Sequence, residues 1–499
     1  MSEDCWKEDE NDKDFRVNTD DEFEEDSRNK IFSSWDQLPD ILLEQIFSYL
    51  TIQERYYASL VCQSWYHAFK LQNVWSTFTL KDTTLTRGKF NYYSGWQYVL
   101  DHMRTSACLN KVGKFFRCLV FDPMLNFYNL YEFMNMVSWY TERQGSDNRS
   151  VAGVGTYIRR LKFTFPCNME NRDAPDRIRV FGTGGKLLEA LKRLMRNLEH
   201  LKCLELIDLM LESREALHLL DDVCANCTET LTKLVLINTT RYSCPLLHVG
   251  VFLNLKILII SPQNLDEDVV ELLGSTSLQH LHIIQNRYSP KDTTVFLPKN
   301  SSWKKMKMSN PHLRVHFEIE SRKPTDFTLP IGEMDYGSIP CASIVLDNPT
   351  TQVTSVTIDS HGTYFGSTLK VYALKGLTRY FLPKNFAKRL DEALVRLCKT
   401  CPSLHTLMIR DKISTATILE IVSTAKSLRC LYVRRNVILK RCDKDWLRVA
   451  DWSPEHYQWI KVNSCSYEST EREVSKILGY RWHMLSEKEF KTQQLNLHV

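Results

Sequence analysis

The chain of 499 residues lacks the features that would put it in a membrane or give it a recognisable active centre. No stretch reaches the roughly 18 uninterrupted apolar residues of a membrane span. The longest apolar patch, Val251 to Ile260, is broken by Asn254 and Lys256. Residues 1–30 hold 13 Asp or Glu against 5 Lys or Arg and no apolar core, the wrong polarity for a secretory leader. A cytoplasmic or nuclear protein is therefore expected, and its 15 cysteines, odd in number and set in apolar contexts, read as reduced core thiols. The 14 histidines include no H-x-x-x-H pair with a neighbouring Glu of the metalloprotease kind. Gly182, Gly184 and Gly185 precede a helical pattern but fit neither the P-loop nor the dinucleotide fingerprint, so they read as a helix-opening turn. No Ser/His/Asp or Cys/His nucleophile arrangement can be assigned. No catalytic residue, metal or cofactor is predicted.

Two Cys-x-x-Cys pairs are present, Cys224/Cys227 and Cys398/Cys401. Zinc takes four thiolate or imidazole ligands, usually as two close-set pairs about 12 to 20 residues apart. These pairs are 171 positions apart from Cys227 to Cys398, and each lies just ahead of an apolar triplet described below. Small apolar side chains packing a helix-to-strand corner account for both.

Composition is otherwise ordinary, 43% hydrophobic and 25% charged. Charge is unevenly placed: residues 1–30 carry −8, so the net +4 leaves +12 on the remainder. Residues 1–30 are expected to be a disordered acidic tail, with too little apolar surface to offset ordering entropy. Such a tail is also suited to shielding a basic body. The basic surplus, with arginines at 410, 434 and 435, raises nucleic-acid binding as a reading, but no DNA- or RNA-binding motif accompanies it.

What is present begins with the stretch from Trp35 to Trp75, which reads as three short helices. Pro39 stands where a first helical residue needs no N–H, and Ile41, Leu42, Leu43, Ile46, Phe47 and Leu50 follow at helical spacing. Thr51 with Glu54 has capping-box spacing, and Ser64 is placed to cap the third helix, whose anchors are Trp65, Ala68 and Phe69. Leu38-Pro39, Ile46 to Leu50, Leu60-Val61-Cys62 followed by Trp65, and Val74-Trp75 together resemble an F-box. Ile41 and Gln63 depart from that pattern, standing where acidic and basic residues are common. The resemblance implies docking to the Skp adaptor of cullin-RING (SCF) ubiquitin ligases. It implies adaptor-binding roles for Leu38, Pro39, Leu42, Ile46, Phe47, Leu50, Leu60, Val61 and Trp65.

Residues 77–114, rich in aromatics such as Tyr92, Tyr93, Trp96 and Tyr98, are expected to form a packed helical bridge rather than a floppy linker. Beyond it an apolar triplet recurs at spacings of three and two. It appears as Ile158/Leu161/Phe163, Leu201/Leu204/Leu206, Leu231/Leu234/Leu236, Leu255/Leu258/Ile260, Leu278/Leu281/Ile283, Leu404/Leu407/Ile409 and Leu428/Leu431/Val433, with a weaker copy at Val353/Val356/Ile358. Starts at 231, 255 and 278 are 24 and 23 apart. Leucine-rich repeats have this signature and a period of about 20 to 29 residues. Asn286 and Asn436 close two copies as expected, and Asn238 falls one position early. A helix-turn-strand unit this short cannot bury its apolar face alone, so the copies must stack. From about 287 to 400 the period fails. Irregular repeats with a long loop near Arg322–Pro340 are expected there, and a domain boundary is the alternative.

The fold class predicted is α/β. It comprises a helical F-box over 31–76, the bridge over 77–114, a curved leucine-rich-repeat solenoid over 115–445 with strands inside and helices outside, and a helical C-terminal cap over 446–499. Capping-box spacing at Thr470/Glu473 and Ser486/Glu489 marks helices in the cap.

Residues between the core leucines must face the concave surface. These are Arg160, Lys162, Glu205, Lys233, His280, His282, Met408, Arg410, Tyr432 and Arg434. The basic and aromatic ones are candidates for holding a protein substrate, because Arg and Tyr offer large contact areas with directional polar groups. His280 and His282 alternate on one strand and point to the same side, but two ligands are too few for a metal without a third. The family resembled implies a substrate receptor of an SCF ligase, with the Skp adaptor, a cullin and a protein substrate as partners. A Skp-bound scaffold that targets nothing for degradation has the same sequence features.

Overall fold

The computed structural model describes residues 35–92, 95–146, 153–169, 179–180, 182–286, 288–289, 298–320, 337–350 and 352–498. The acidic tail and most of the long loop, 321–336, lie outside the described residues. The chain divides into two compact units, Met1–Cys118 with Asn126–Tyr157, and Leu119–Leu125 with Ile158–Val499. The division falls later than the expected start of the repeats at 115. Among the described residues, no helix is long and apolar enough to cross a membrane.

The first unit opens with helices α1 (Asp40–Tyr49), α2 (Ile52–Ser59) and α3 (Gln63–Phe69). Pro39 is the residue before α1 rather than its first, and its carbonyl accepts the N–H groups of Leu42 and Leu43. The Thr51/Glu54 capping box forms as predicted: the Glu54 carboxylate accepts Thr51 N–H at 2.7 Å and Thr51 Oγ1 accepts Glu54 N–H at 3.3 Å. Ser64 does not cap α3 but lies inside it, since the helix starts at Gln63 behind Cys62, two residues earlier than expected. Leu43 and Phe47, four apart on α1, are fully buried, with Ala68, Val74 and Trp75. Arg55 is buried as well. Its Nε and Nη2 donate to the carbonyls of Phe47 and Ser48 in the last turn of α1, and its guanidinium lies 5.2 Å from the Trp75 ring.

The expected helical bridge holds more strand than helix: Thr77–Leu80, then an antiparallel hairpin of Thr86–Asn91 and Gly95–Leu100, and only then a helix, His102–Val112. The alternation of Trp96, Tyr98 and Leu100 has the period of a strand, and aromatic residues favour a pleated surface. Phe78 stacks on Phe116 and Phe133, with centroids 4.7 and 5.4 Å away. Asn129, on helix Phe127–Ser146, ties down the hairpin end by accepting Leu100 N–H and donating to the Tyr98 carbonyl.

In the second unit ten strands pair in sequence order, every pair parallel: Arg160–Thr164, Cys203–Ile207, Lys233–Ile237, Ile257–Ile260, His280–Gln285, Arg314–Ile319, Cys341–Leu346, Val371–Leu374, Thr406–Ile409 and Cys430–Val433. Helices such as Gly185–Arg196, Asn300–Ser309 and Asp391–Thr400 return the chain between them, as in a leucine-rich-repeat solenoid. Leu161, Leu204, Leu234, Leu258 and Leu281 line up in one fully buried row. The sheet runs unbroken through 287–400, where the leucine signature hides because Cys341 and Tyr372 stand in for leucines. The weak copy at Val353 to Ile358 is no strand but the start of helix Ser355–Phe365. Thr354 caps it, and Ile358, His361 and Phe365 are buried at helical spacing. A register irregularity between Val315 and His316 adds a residue to the next strand. It brings Ile283, the third apolar residue of its triplet, into line with Leu407, the second of its own.

Asn238, with φ +46°, donates to Asp208 Oδ1 at 2.7 Å and to Asn286 Oδ1 at 2.8 Å, joining the turns that follow three strands. In the cap, Ser466 rather than Thr470 caps helix Tyr467–Leu478, while Ser486 and Glu489 form the predicted capping box. Arg389, fully buried, pairs with Asp391 (2.7 Å) and with Asp443, and Asp391 also accepts Ser414 N–H. Removing one partner of such a cluster strands a buried charge. Arg389→Ala should therefore lower the unfolding free energy by about 3–5 kcal/mol in urea titrations. Arg396→Ala, at an exposed pair with Glu392 and Asp359, should cost about 1 kcal/mol or less.

Candidate functional sites

Two surfaces stand out, one in each unit. On α1 to α3 and their junctions, Trp35, Ile41, Leu42, Tyr49, Tyr57, Leu60, Val61 and Tyr66 are all exposed, Leu60 and Val61 at 64% and 65%. A short helical module that leaves this much apolar surface in water presents an interaction face. Of the nine residues assigned to adaptor binding, Pro39, Leu42, Leu60 and Val61 are exposed, and Leu38, Ile46, Leu50 and Trp65 are half-buried. Phe47 is wholly buried, so it belongs to the module's core rather than to a contact surface. It packs edge-on to Trp65 at 5.8 Å, whose Nε1 donates to the Trp35 carbonyl. The exposed Ile41, Tyr49, Tyr57 and Tyr66 are not among the nine. Their signal was present: in α1, Ile41 and Tyr49 are apolar but lie off the Leu43/Phe47 stripe.

The second surface is the sheet face opposite the leucine rows. At its N-terminal end Arg160 and Lys233 are not free cations. Both reach Glu205 Oε1, at 2.7 and 3.2 Å, from the strands on either side of it. Burial raises the Glu205 pKa, but Lys233 and Arg160 more than offset this and hold the carboxyl below its ordinary range. Lys162 lies beside Glu205 in the same register row.

At the C-terminal end the expectation of an open basic and aromatic surface fails. Met408 and Arg410 are fully buried, Arg434 is 5% exposed and Tyr432 is half-buried. Arg410 Nη1 donates to the carbonyls of Asn348 and Lys375 at 2.5 and 2.8 Å, so it ties together turns of neighbouring repeats. Met408 lies under Phe490, with Val345 and Ala373, because residues beyond 485 cross this face; Leu377, Tyr432, Leu485, Leu495 and Leu497 complete the cluster.

His280 and His282 gain companions that sequence spacing did not show. His316, from the next strand, and His498, from the C-terminal segment, close a group of four imidazoles. His280 Nδ1 lies 3.0 Å from His316 Nε2, and His282 Nε2 lies 3.0 Å from His498 Nε2. His282 Nδ1 faces Glu318 at 3.1 Å, and His316 Nδ1 faces Ser343 Oγ at 2.7 Å. The rings pair off in hydrogen bonds and stacks rather than converge, and no three His, Cys, Asp or Glu donors among the described residues are set to hold a metal. In each Cys-x-x-Cys pair the first cysteine, Cys224 or Cys398, lies within a helix, and only Cys227 and Cys401 stand at the expected helix-to-strand corner. Cys227 Sγ contacts the Leu198 carbonyl at 3.2 Å, and burial pushes Cys224 up to about 11 and Cys401 up to about 12. All are free thiols.

Residues 35–77 match the F-box domain model. Solved structures similar to the chain include the yeast Rad7–Elc1 complex, at 12% identity over 82% of this chain and 92% of that one, with a TM-score of 0.33. An internalin of Listeria monocytogenes is similar at 11% identity over 70% and 75%, with a TM-score of 0.29. A leucine-rich-repeat protein of Leptospira interrogans is similar at 13% over 75% and 92%, with a TM-score of 0.26. No curated protein matches the sequence.

Burial, the neighbouring imidazoles and Arg314 lower His280 to about 4 and His316 to about 2. His498 is also lowered, by burial first, with His282 and Lys233 adding to it against Glu318. These groups take up protons more readily when unfolded, near the ordinary value of 6.5, than when folded. Their contribution to stability is therefore complete above pH 6.5 and declines as pH falls towards 4. Chemical unfolding across pH 4 to 7.5 should show this decline. A chain with His280→Gln and His498→Gln should show a shallower one.

Proposed function

We propose that this chain, which carries an F-box at residues 35–77 ahead of a leucine-rich-repeat solenoid, is the substrate-recognition subunit of an SCF (Skp–cullin–F-box) ubiquitin ligase. The observation that carries the reading is the exposed apolar surface of the matched module, above all Leu60 and Val61. A Skp adaptor covering that surface joins the chain to a cullin. The solenoid then holds a protein substrate, and other subunits perform ubiquitin transfer. The chain's own contribution is proximity, since holding donor and acceptor together raises their effective concentration. Fourteen free cysteines among the described residues fit work in the reducing cytoplasm or nucleus.

Buried apolar anchors at interface centres each contribute about 2 kcal/mol or more. Leu60→Asp with Val61→Asp, at positions outside the module's core, should weaken Skp-adaptor binding at least about 30-fold in co-purification or calorimetry. Cullin should be lost in parallel, and partners that stay bound become substrate candidates. Unchanged adaptor and cullin recovery from the folded double variant would overturn the reading.

A further inference from the structure

The C-terminal part of the concave face is already occupied. Past the last strand, Trp482 Nε1 donates to the Leu431 carbonyl at 2.7 Å, Leu485 N–H donates to the Val433 carbonyl at 2.9 Å, and the Leu485 carbonyl accepts Arg435 N–H at 3.0 Å. The chain then forms helix Glu487–Thr492 and runs back across the sheet to His498, beside His282. From the strand of Tyr432 to that of His282 it passes over six adjacent strands, a span of roughly 24 Å at about 4.8 Å per step. A helix of six residues is too short to persist by itself. Its order comes from Phe490, fully buried on Val345, Ala373 and Met408. Beyond it, Gln493, Leu495 and Leu497 are half-buried while Gln494 and Asn496 are exposed, the alternation of an extended segment lying with one edge on a surface.

The covered row is apolar where a solvated strand face would be polar. In register it reads Ile284, Glu318, Val345, Ala373, Met408, Tyr432, and only its C-terminal four form the patch under Phe490. Ala373 between larger neighbours leaves room for one bulky ring. Arg410 and Arg434 flank the patch but are buried or engaged, so charge does not select the occupant.

We infer that Val345, Ala373, Met408 and Tyr432 form a peptide groove, that residues 486–498 are its resident ligand, and that a substrate segment with an aromatic anchor followed by alternating aliphatic residues enters by displacing them. The inference rests on the proposed receptor role for the substrate's identity. The groove and its resident ligand stand apart from the F-box and are tested without it.

The test uses a fluorescent peptide of residues 485–498 and three forms of the chain: full length, full length with Phe490→Glu, and a form ending at Leu485, which keeps Trp482 and Met484. A tethered occupant lowers the available fraction of its site, so the peptide should bind the opened forms at least about tenfold more tightly than the intact chain. A Phe490→Ala peptide should lose that binding. Skp-adaptor recovery, read on the same samples, should be equal in all three forms and reports on the F-box separately. Absence of saturable binding to both opened forms, with adaptor recovery and cooperative unfolding intact, would overturn the inference, as would equal affinity for the intact and opened chains.

Discussion

Parallel pairing in register is the constraint on which the second unit depends. Once ten strands pair in sequence order, the parity of each residue's position decides whether it joins the leucine rows or the concave face. That rule puts Leu161, Leu204 and Leu234 in a common core. It also puts Arg160, Glu205 and Lys233 on one face, where the two cations of the Cys203 row reach the carboxylate of the next row, and brings His282 next to His316 from 34 residues away in sequence. The helices and turns serve the pairing. The Asn238 contacts with Asp208 and Asn286, and the Arg389 cluster with Asp391 and Asp443, hold successive repeats at a fixed stagger.

Much of this order was legible because the period-two leucine signal is strong wherever both core positions are aliphatic. All seven strong triplets became strands. Three strands were hidden for particular reasons: His312 stands at the first signature position before Val315, Cys341 opens its strand, and Tyr372 fills a leucine site with its ring fully buried. Val353 to Ile358 misled because alternation over six residues cannot outweigh a Thr354 cap followed by buried residues at Ile358, His361 and Phe365. In the first unit the same weighing failed in reverse. The aromatic residues near 92–98 suggest packing material for helices, whereas Trp96 and Tyr98 lie on a two-stranded ribbon and, with Phe90 and Tyr92, remain exposed; Tyr93 lies outside the described residues.

The sites were legible in outline and not in detail, since a motif names positions but not the side on which each faces. Leu60 and Val61 face solvent while Phe47, equally typical of the F-box pattern, fills the core. On the solenoid, parity correctly directed Met408, Arg410, Tyr432 and Arg434 away from the leucines. It could not foresee that Phe490, some eighty residues on from Met408, would cover Met408. His498 joined the histidines of two strands by the same long return. Contacts of this kind have no sequence period, because they depend on where a segment lands and not on how it repeats.

Glu205 has a consequence of a different sort. A single oxygen, Oε1, faces a guanidinium and an ammonium from the flanking strands. The polarity of that end of the face is therefore set locally, by one carboxylate, and not by the basic surplus of the chain as a whole. Exchange of this residue for its amide would reshape no backbone, yet it would remove the negative charge that both cations share. A single substitution at this position would shift that end of the face from balanced towards positive charge.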